Sequence, residues 1–308
     1  IMDASLALDL LWLAPATHSA KAGRDEPSLH GGPVQCQPEL TMPRHWSWGC
    51  TGTMAQPAWL ATMHPMHLLD TLDTPAALLD ETRLQHNLQR MQAQTNGLGV
   101  ALRPHIKTSK CLAVVQRQLA LGARGVTVST LKEAQQCLAA GMTDITYAVG
   151  IAPGKLPQVL ALRRQGAALT VLTDNLASAA AIGELCRAQG EVIPVLIEID
   201  TDQHRSGVAP ESQLLLDLGR ALHTNGAQLA GVLTHAGASY QCSTPEALQA
   251  MAEQERAGCV RAAERLRAAG LPCPVVSVGS TPTALSATRL DGVTEVRAGV
   301  YAFMDLVM

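Results

Sequence analysis

Lysine is scarce in this chain, five in 308 residues, and two of the five fall in one short stretch, Arg103-Pro104-His105-Ile106-Lys107-Thr108-Ser109-Lys110. Lys107 closes an apolar run that reads as a buried strand, where lost solvation lowers the pKa of an amine. A neutral amine in such a place forms a Schiff base with an aldehyde. Lys110 reads as a solvated helix residue, and His105 as either a packed neighbour or a reacting group. A second candidate is Gly279-Ser280-Thr281, at a strand-to-helix turn. Free backbone N–H groups there suit an anion such as a phosphate, although a plain helix cap at Thr281 explains it equally well. Glu198 and Asp200, spaced i, i+2, share one face of a strand, as a structural or a functional pair. Glu133 reads as a helix-surface residue.

The elements that must position these groups follow from periodicity. From residue 98 onward, short β-branched runs alternate with helical stretches rich in alanine and leucine, most of them closed by glycine. Strands are expected at residues 100–107, 125–130, 144–149, 169–173, 194–200, 229–235, 274–279 and 294–302. Eight strands with seven intervening helices predict an α/β (β/α)8 barrel, and residues 74–308 fit the roughly 250 residues usual for that fold. The long helix after Thr244-Pro245 has Thr at the N-cap and Pro at N1, and Thr281-Pro282 is expected to open the last helix in the same way. A barrel site gathers at the carboxyl ends of the strands. Lys107, Thr130, Arg205, His235, Ser239, Tyr240, Gly279, Ser280, Thr281 and Tyr301 all fall at or after expected strand ends.

Six strings occur in a recognisable order: Thr74-Pro75-Ala76; Arg103-Pro104-His105-Ile106-Lys107-Thr108; Glu198-Ile199-Asp200 with His204-Arg205-Ser206-Gly207-Val208; Thr234-His235-Ala236-Gly237; Gly279-Ser280-Thr281-Pro282-Thr283; and Glu295-Val296-Arg297 with Gly299 and Tyr301. In this the chain resembles the D-serine dehydratase/D-threonine aldolase group of fold-type III pyridoxal-phosphate enzymes, whose N-terminal barrel is alanine-racemase-like. The resemblance covers residues 72–306. It implies pyridoxal 5'-phosphate as cofactor, bound as a Schiff base on Lys107, with Lys107 also the base at Cα. Arg205 matches the arginine that faces the pyridine nitrogen, Gly279, Ser280 and Thr281 the phosphate site, and Tyr301 a tyrosine near the phosphate. His235 and Tyr240 are candidates for contact with substrate or cofactor. Asp202 departs from the glycine common at that position.

The activity so implied is that of a lyase on D-3-hydroxy amino acids. Loss of the Cα proton and the β-hydroxyl gives a 2-oxo acid and ammonia; cleavage of Cα–Cβ gives glycine and an aldehyde. A divalent metal, zinc or manganese, is expected to assist either, with ligands in a C-terminal β domain beyond Met308, and the group forms homodimers. No metal ligand is assigned within the chain. Residues 67–80 are expected to contribute a strand to that β domain, and residues 81–308 form the cofactor-binding barrel. Two rivals are a non-catalytic pyridoxal-phosphate carrier, which lacks the Arg-Pro-His-Ile-Lys-Thr string, and a racemase, for which no second-base tyrosine is found.

Composition sets outer bounds. A net charge of −3 with 16% charged residues, and no basic run, gives no electrostatic footprint for nucleic acid or an anionic membrane. The eight cysteines contain no C-x-x-C pair and read as reduced thiols of a cytoplasmic protein. All four tryptophans lie before residue 60, whereas the single phenylalanine is Phe303. Residues 1–66 therefore read as an extension of foreign composition, disordered or the product of a start assigned upstream of Met54, Met63 or Met66. Asp3 and Asp9 argue against a secretory signal in residues 2–20.

Overall fold

The computed structural model describes residues 72–304. The expectations placed on residues 1–71 and 305–308 fall outside the described residues. Residues 72–78 stand as part of a separate unit and carry no helix or strand. Residues 74–79, expected as a strand, form none here, since a strand is defined by a ladder and no described residue pairs with them.

The rest is the expected barrel. Helix α1 (Glu81–Gly97) starts where the Asp80 carboxylate accepts from Arg83 N at 3.0 Å, and it turns Leu84, Leu88 and Met91 inward. Then follow β1 (Ala101–Leu102), α2 (Leu112–Ala120), β2 (Val126–Val128), α3 (Leu131–Ala139), β3 (Asp144–Gly150), α4 (Leu156–Arg164), β4 (Ala168–Thr173), α5 (Leu176–Gln189), β5 (Pro194–Ile199), α6 (Gln213–Thr224), β6 (Gln228–Thr234), α7 (Pro245–Ala268), β7 (Val275–Val278), α8 (Thr281–Ser286) and β8 (Glu295–Val296). All strand pairs are parallel, in the order β1-β8-β7-β6-β5-β4-β3-β2. The ring closes between the ends of that order: His105 bridges Thr127, Arg124 N donates to Leu102 O at 2.7 Å, and Thr127 N donates to Pro104 O at 2.8 Å.

Strands β1 and β8 fall furthest short of the expected bounds. Pro104 has no N–H to donate, so β1 ends early, although its pairing with the chain after β8 continues to His105 N and Ala298 O at 2.9 Å. Past β8 the chain turns into a 3-10 helix, Val300–Ala302. Gly299 permits that turn because a Cβ there would stand 2.7 Å from His105 O. Thr244 caps α7 as expected. For α8 the cap is Ser280 rather than Thr281: Ser280 Oγ accepts from Thr283 N at 3.2 Å and Thr283 Oγ1 accepts from Ser280 N at 3.1 Å.

Alternation along the strands divides the side chains. Val171, Val195, Ile197, Val232 and Val276 face the helices and join the main core. Leu172, Leu196, Ala230 and Leu233, with Ala148 and Val275 against them, form a second cluster inside the barrel. The same alternation turns Arg103, His105, Glu198, Ser277, Glu295 and Arg297 inward.

Candidate active site

The mouth of the barrel is built from the ends of β1, β5, β6, β7 and β8. Lys107 lies in the turn just after its strand, two residues past the His105 bridge, rather than in the ladder itself. Buried Ile106 holds the turn in place. Although Lys107 as a residue is exposed, partial burial holds its amine below the ordinary lysine value; the charges of Arg205 and Arg297 push the same way, against Glu133. Lys110, expected on a helix, precedes α2 and pairs with Glu133 at 3.6 Å. Glu133, expected on the surface, is buried and completes a capping box with Thr130.

Arg205 sits in the loop after β5. Asp200 Oδ1 accepts from Gln203 N at 2.8 Å, and Asp202 Oδ2 accepts from Ala238 N at 2.8 Å, so both carboxylates fasten the loop and neither pairs with Arg205. The loop closes on Gly207, at φ +120°, where a Cβ would stand 2.7 Å from Asp200 N. Gly237 does the same on the other side: a Cβ there would be 2.8 Å from Arg205 Cδ.

His235 follows β6 and its Nδ1 lies 3.0 Å from Gly279 O. A carbonyl only accepts, so Nδ1 carries the proton and Nε2 keeps its lone pair. Burial, with Arg205, Arg297 and Lys107 adding to it against the Gly279 bond, pushes the ring down to about 4. It is a neutral imidazole at pH 7. His105 is held well below the ordinary value by burial first and by Lys107, Arg297 and His235 after it. The Tyr240 ring lies 6.2 Å from that of His235, tilted by 36°.

Gly279, Ser280 and Thr281 are buried at the turn into α8. Ser280 Oγ meets Ser239 Oγ at 2.8 Å and Thr283 Oγ1 at 2.9 Å, and Thr281 Oγ1 accepts from Tyr301 N at 3.1 Å. Tyr301 therefore joins the turn through its backbone. Its hydroxyl, which burial keeps protonated, goes the other way and accepts from Gln118 Nε2 of α2 at 2.8 Å.

Beneath the mouth runs a buried charged chain that the sequence motifs contained without a role. Arg103 contacts Asp144 at 2.7 Å and Glu295 at 2.8 Å. Glu295 accepts from Ser277 Oγ at 2.6 Å, and Ser277 Oγ accepts from Arg297 Nη1 at 2.8 Å. Arg297 Nη2 donates to Thr234 O at 2.5 Å, while its Nε, in a side chain only 5% exposed, has no partner among the described residues. The legible signal was spacing: Arg103, His105 and Lys107 at i, i+2, i+4 on the chain that continues from β1, and Glu295 and Arg297 at i, i+2 in and just after the neighbour that pairs with it.

The mouth thus collects Lys107, Arg205 and Arg297 with no carboxylate in contact with any of the three among the described residues. Such a site takes an anion. Its amine suits an aldehyde, and pyridoxal phosphate, an aldehyde with a phosphate, fits both. No three His, Cys, Asp or Glu gather to hold a divalent metal among the described residues, and the ligands expected for one lie outside them.

Residues 79–307 match the family model of the alanine racemase N-terminal domain. The chain belongs to that family. Its place within the family is with the fold-type III pyridoxal-phosphate enzymes named from the motifs. D-threo-3-hydroxyaspartate dehydratase of Delftia sp. (strain HT23) is 65% identical over 239 residues, which are 77% of this chain and 63% of that protein. Its solved structure overlays with a TM-score of 0.77 over the same shares, as does that of a cysteine variant in a metal-free form. D-threonine aldolase of Arthrobacter sp is 34% identical over 238 residues, 77% of this chain and 62% of that protein. The chain thus spans about 63% of the length of the relatives it matches. No described helix is long and apolar enough to cross a membrane.

Proposed function

We propose that the protein is a pyridoxal-phosphate-dependent lyase acting on D-3-hydroxy amino acids. The observation that carries this reading is the amine of Lys107, lowered in basicity, in a barrel mouth where Arg205 and Arg297 supply positive charge and His235 is neutral. Bound there, the cofactor supplies an electron sink that weakens the bonds at Cα of an amino acid.

Everything else is the work of this chain. Lys107 holds the cofactor aldehyde and is the group placed to take and return a proton at Cα. Arg205, in contact with no carboxylate among the described residues, would face the ring nitrogen in the matching family position and disfavour its protonation. His235 keeps Nδ1–H on Gly279 and so presents Nε2 to accept a proton from the 3-hydroxyl, the transfer that Cα–Cβ cleavage requires. Dehydration requires a proton delivered to the departing hydroxyl instead. The surplus of positive charge favours a substrate with a second carboxylate, which agrees with the name of the 65% identical relative. The homodimer and the divalent metal expected from the resemblance belong to the same proposal. So does the cytoplasmic setting, which the free thiols Cys111, Cys137, Cys186, Cys242, Cys259 and Cys273 support.

The test is borohydride reduction of the cofactor-loaded protein followed by peptide mapping, then assay of each enantiomer of 3-hydroxyaspartate, serine and threonine with and without chelator. Label on Lys107, with 2-oxo acid and ammonia or glycine and aldehyde from the D-enantiomers, is expected. Label on another lysine, or preference for L-substrates, overturns the reading. Binding without turnover favours the carrier.

A further inference from the structure

Glu255 is the buried ionisable group that the chemistry above does not use. It lies in the long helix α7, outside the barrel wall, and is 2% exposed. No cation comes within ion-pair distance of it among the described residues. Its contacts are all hydrogen bonds: Oε1 accepts from Ala236 N at 2.8 Å and Gly279 N at 3.2 Å, and Oε2 accepts from Thr283 Oγ1 at 2.6 Å. Thr283 Oγ1 and Ser280 Oγ lie 2.9 Å apart, and Ser280 Oγ and Ser239 Oγ 2.8 Å.

A buried carboxylate with no cation in contact is costly unless its oxygens are satisfied, and here burial raises its pKa against the three hydrogen bonds and the charge of Arg297 that oppose it. The place it occupies shows what it does. Ala236 is the residue after His235, and Gly279 is the residue whose carbonyl holds the His235 ring. The junction between the ends of β6 and β7 is therefore clamped twice, by Glu255 from the helix side and by the His235–Gly279 bond from the barrel side. Without Glu255, two buried N–H groups lose their acceptor, and the turn must shift to find water for them.

We propose that Glu255 is a positioning residue that fixes His235 and the Gly279-Ser280 turn in one register at the reactive mouth. The inference rests on the lyase reading only in treating that mouth as the site, and its test has a readout of its own. The full chain is prepared as Glu255→Leu, which removes all acceptors; Glu255→Gln, which keeps one oxygen for the two amides; and Thr283→Val, which cuts the hydroxyl link to Glu255 together with the Ser280 N bond of the α8 capping box. His235 titration is followed by NMR without cofactor, and pyridoxal-phosphate affinity by fluorescence.

In the parent protein burial pushes His235 down to about 4. In Glu255→Leu the midpoint is expected to climb toward the ordinary value of about 6.5, and cofactor affinity to fall about tenfold, the scale of one charge-assisted hydrogen bond. Glu255→Gln recovers most of both, and Thr283→Val weakens cofactor binding about threefold. A lower melting temperature with His235 and affinity unchanged marks a merely structural group and overturns the proposal. If Glu255→Leu does not fold, Thr283→Val decides: parent-like affinity and titration overturn it. A displaced His235 midpoint in a protein that never binds the cofactor leaves the positioning role standing and sinks the lyase reading instead.

Discussion

The inside of this barrel has two unlike halves. On the β3 to β6 side it is filled by Ala148, Leu172, Leu196, Ala230 and Leu233, an apolar packing that any barrel core could use. On the β7, β8 and β1 side it is filled by Arg103, Glu295, Ser277 and Arg297, joined end to end, with the exposed Asp144 of β3 meeting Arg103 at the outer end. The apolar half excludes water, and so makes each charge of the polar half felt at longer range. The polar half ends on an arginine with spare hydrogen-bonding capacity just below Lys107 and His235. Neither half alone accounts for the lowered basicity of both groups: burial is the first cause in each case, and the cations add to it.

Breaking the polar half at its top has the largest expected effect. Lys107→Ala abolishes the covalent cofactor adduct outright, as read by the mass of the borohydride-reduced protein. Lower down, Arg103→Leu strands Glu295 and should cost about 3–5 kcal/mol in denaturant unfolding, the scale for removing one partner of a buried ion pair. It should also move the pH at which Lys107 is labelled. Leu196→Ala tests the other half: a cavity of this kind costs about 3 kcal/mol and should leave the pH of labelling where it was. If both substitutions move that pH equally, the two halves do not have separate roles.

Smaller effects sharpen the contrast. The His235 ring titrates near 4 in the folded protein and near 6.5 when unfolded, so between those values the unfolded chain binds the extra proton. Stability should rise as pH is raised from about 4 to about 6.5, and His235→Gln should flatten that part of the profile. Lys110→Met is the control. Its half-exposed pair with Glu133 is worth about 0–1 kcal/mol, and its loss should alter neither adduct formation nor the labelling pH.

The strand count, the parallel order and the gathering of Lys107, Arg205, His235 and the Gly279 turn were legible, because each rests on a local signal: a period of two, a glycine, a cap. What escaped had no local signal. Glu255 looks like any glutamate of a long amphipathic helix, and only the fold brings it to two strand ends. Glu133 was misread although Thr130 and Glu133 carry the capping-box spacing, because that spacing marks a helix start and only the fold decides that the carboxylate is buried. Tyr301 matched a family position, yet Gln118 of a distant helix decides where its hydroxyl points. Strand ends were overestimated at β1 and β8, where Pro104 and Gly299 turn the chain sooner than hydrophobicity suggests.

The closing seam of the barrel has a consequence for how the reactive lysine is held. At seven junctions the strands pair in a ladder of two or more residues; between β1 and β2 the wall is held by one bridge and a few amide bonds around Leu102, Pro104, His105 and Thr127. The wall is thus least cross-linked immediately below Lys107. A ring opens first at its weakest rung, so brief local unzipping there releases the lysine turn while the other seven junctions stay shut. Amide hydrogens of Arg124, Thr127 and Ile106 should exchange with solvent sooner than those shared by β5 and β6, so the turn that carries Lys107 hangs on the loosest joint of the ring.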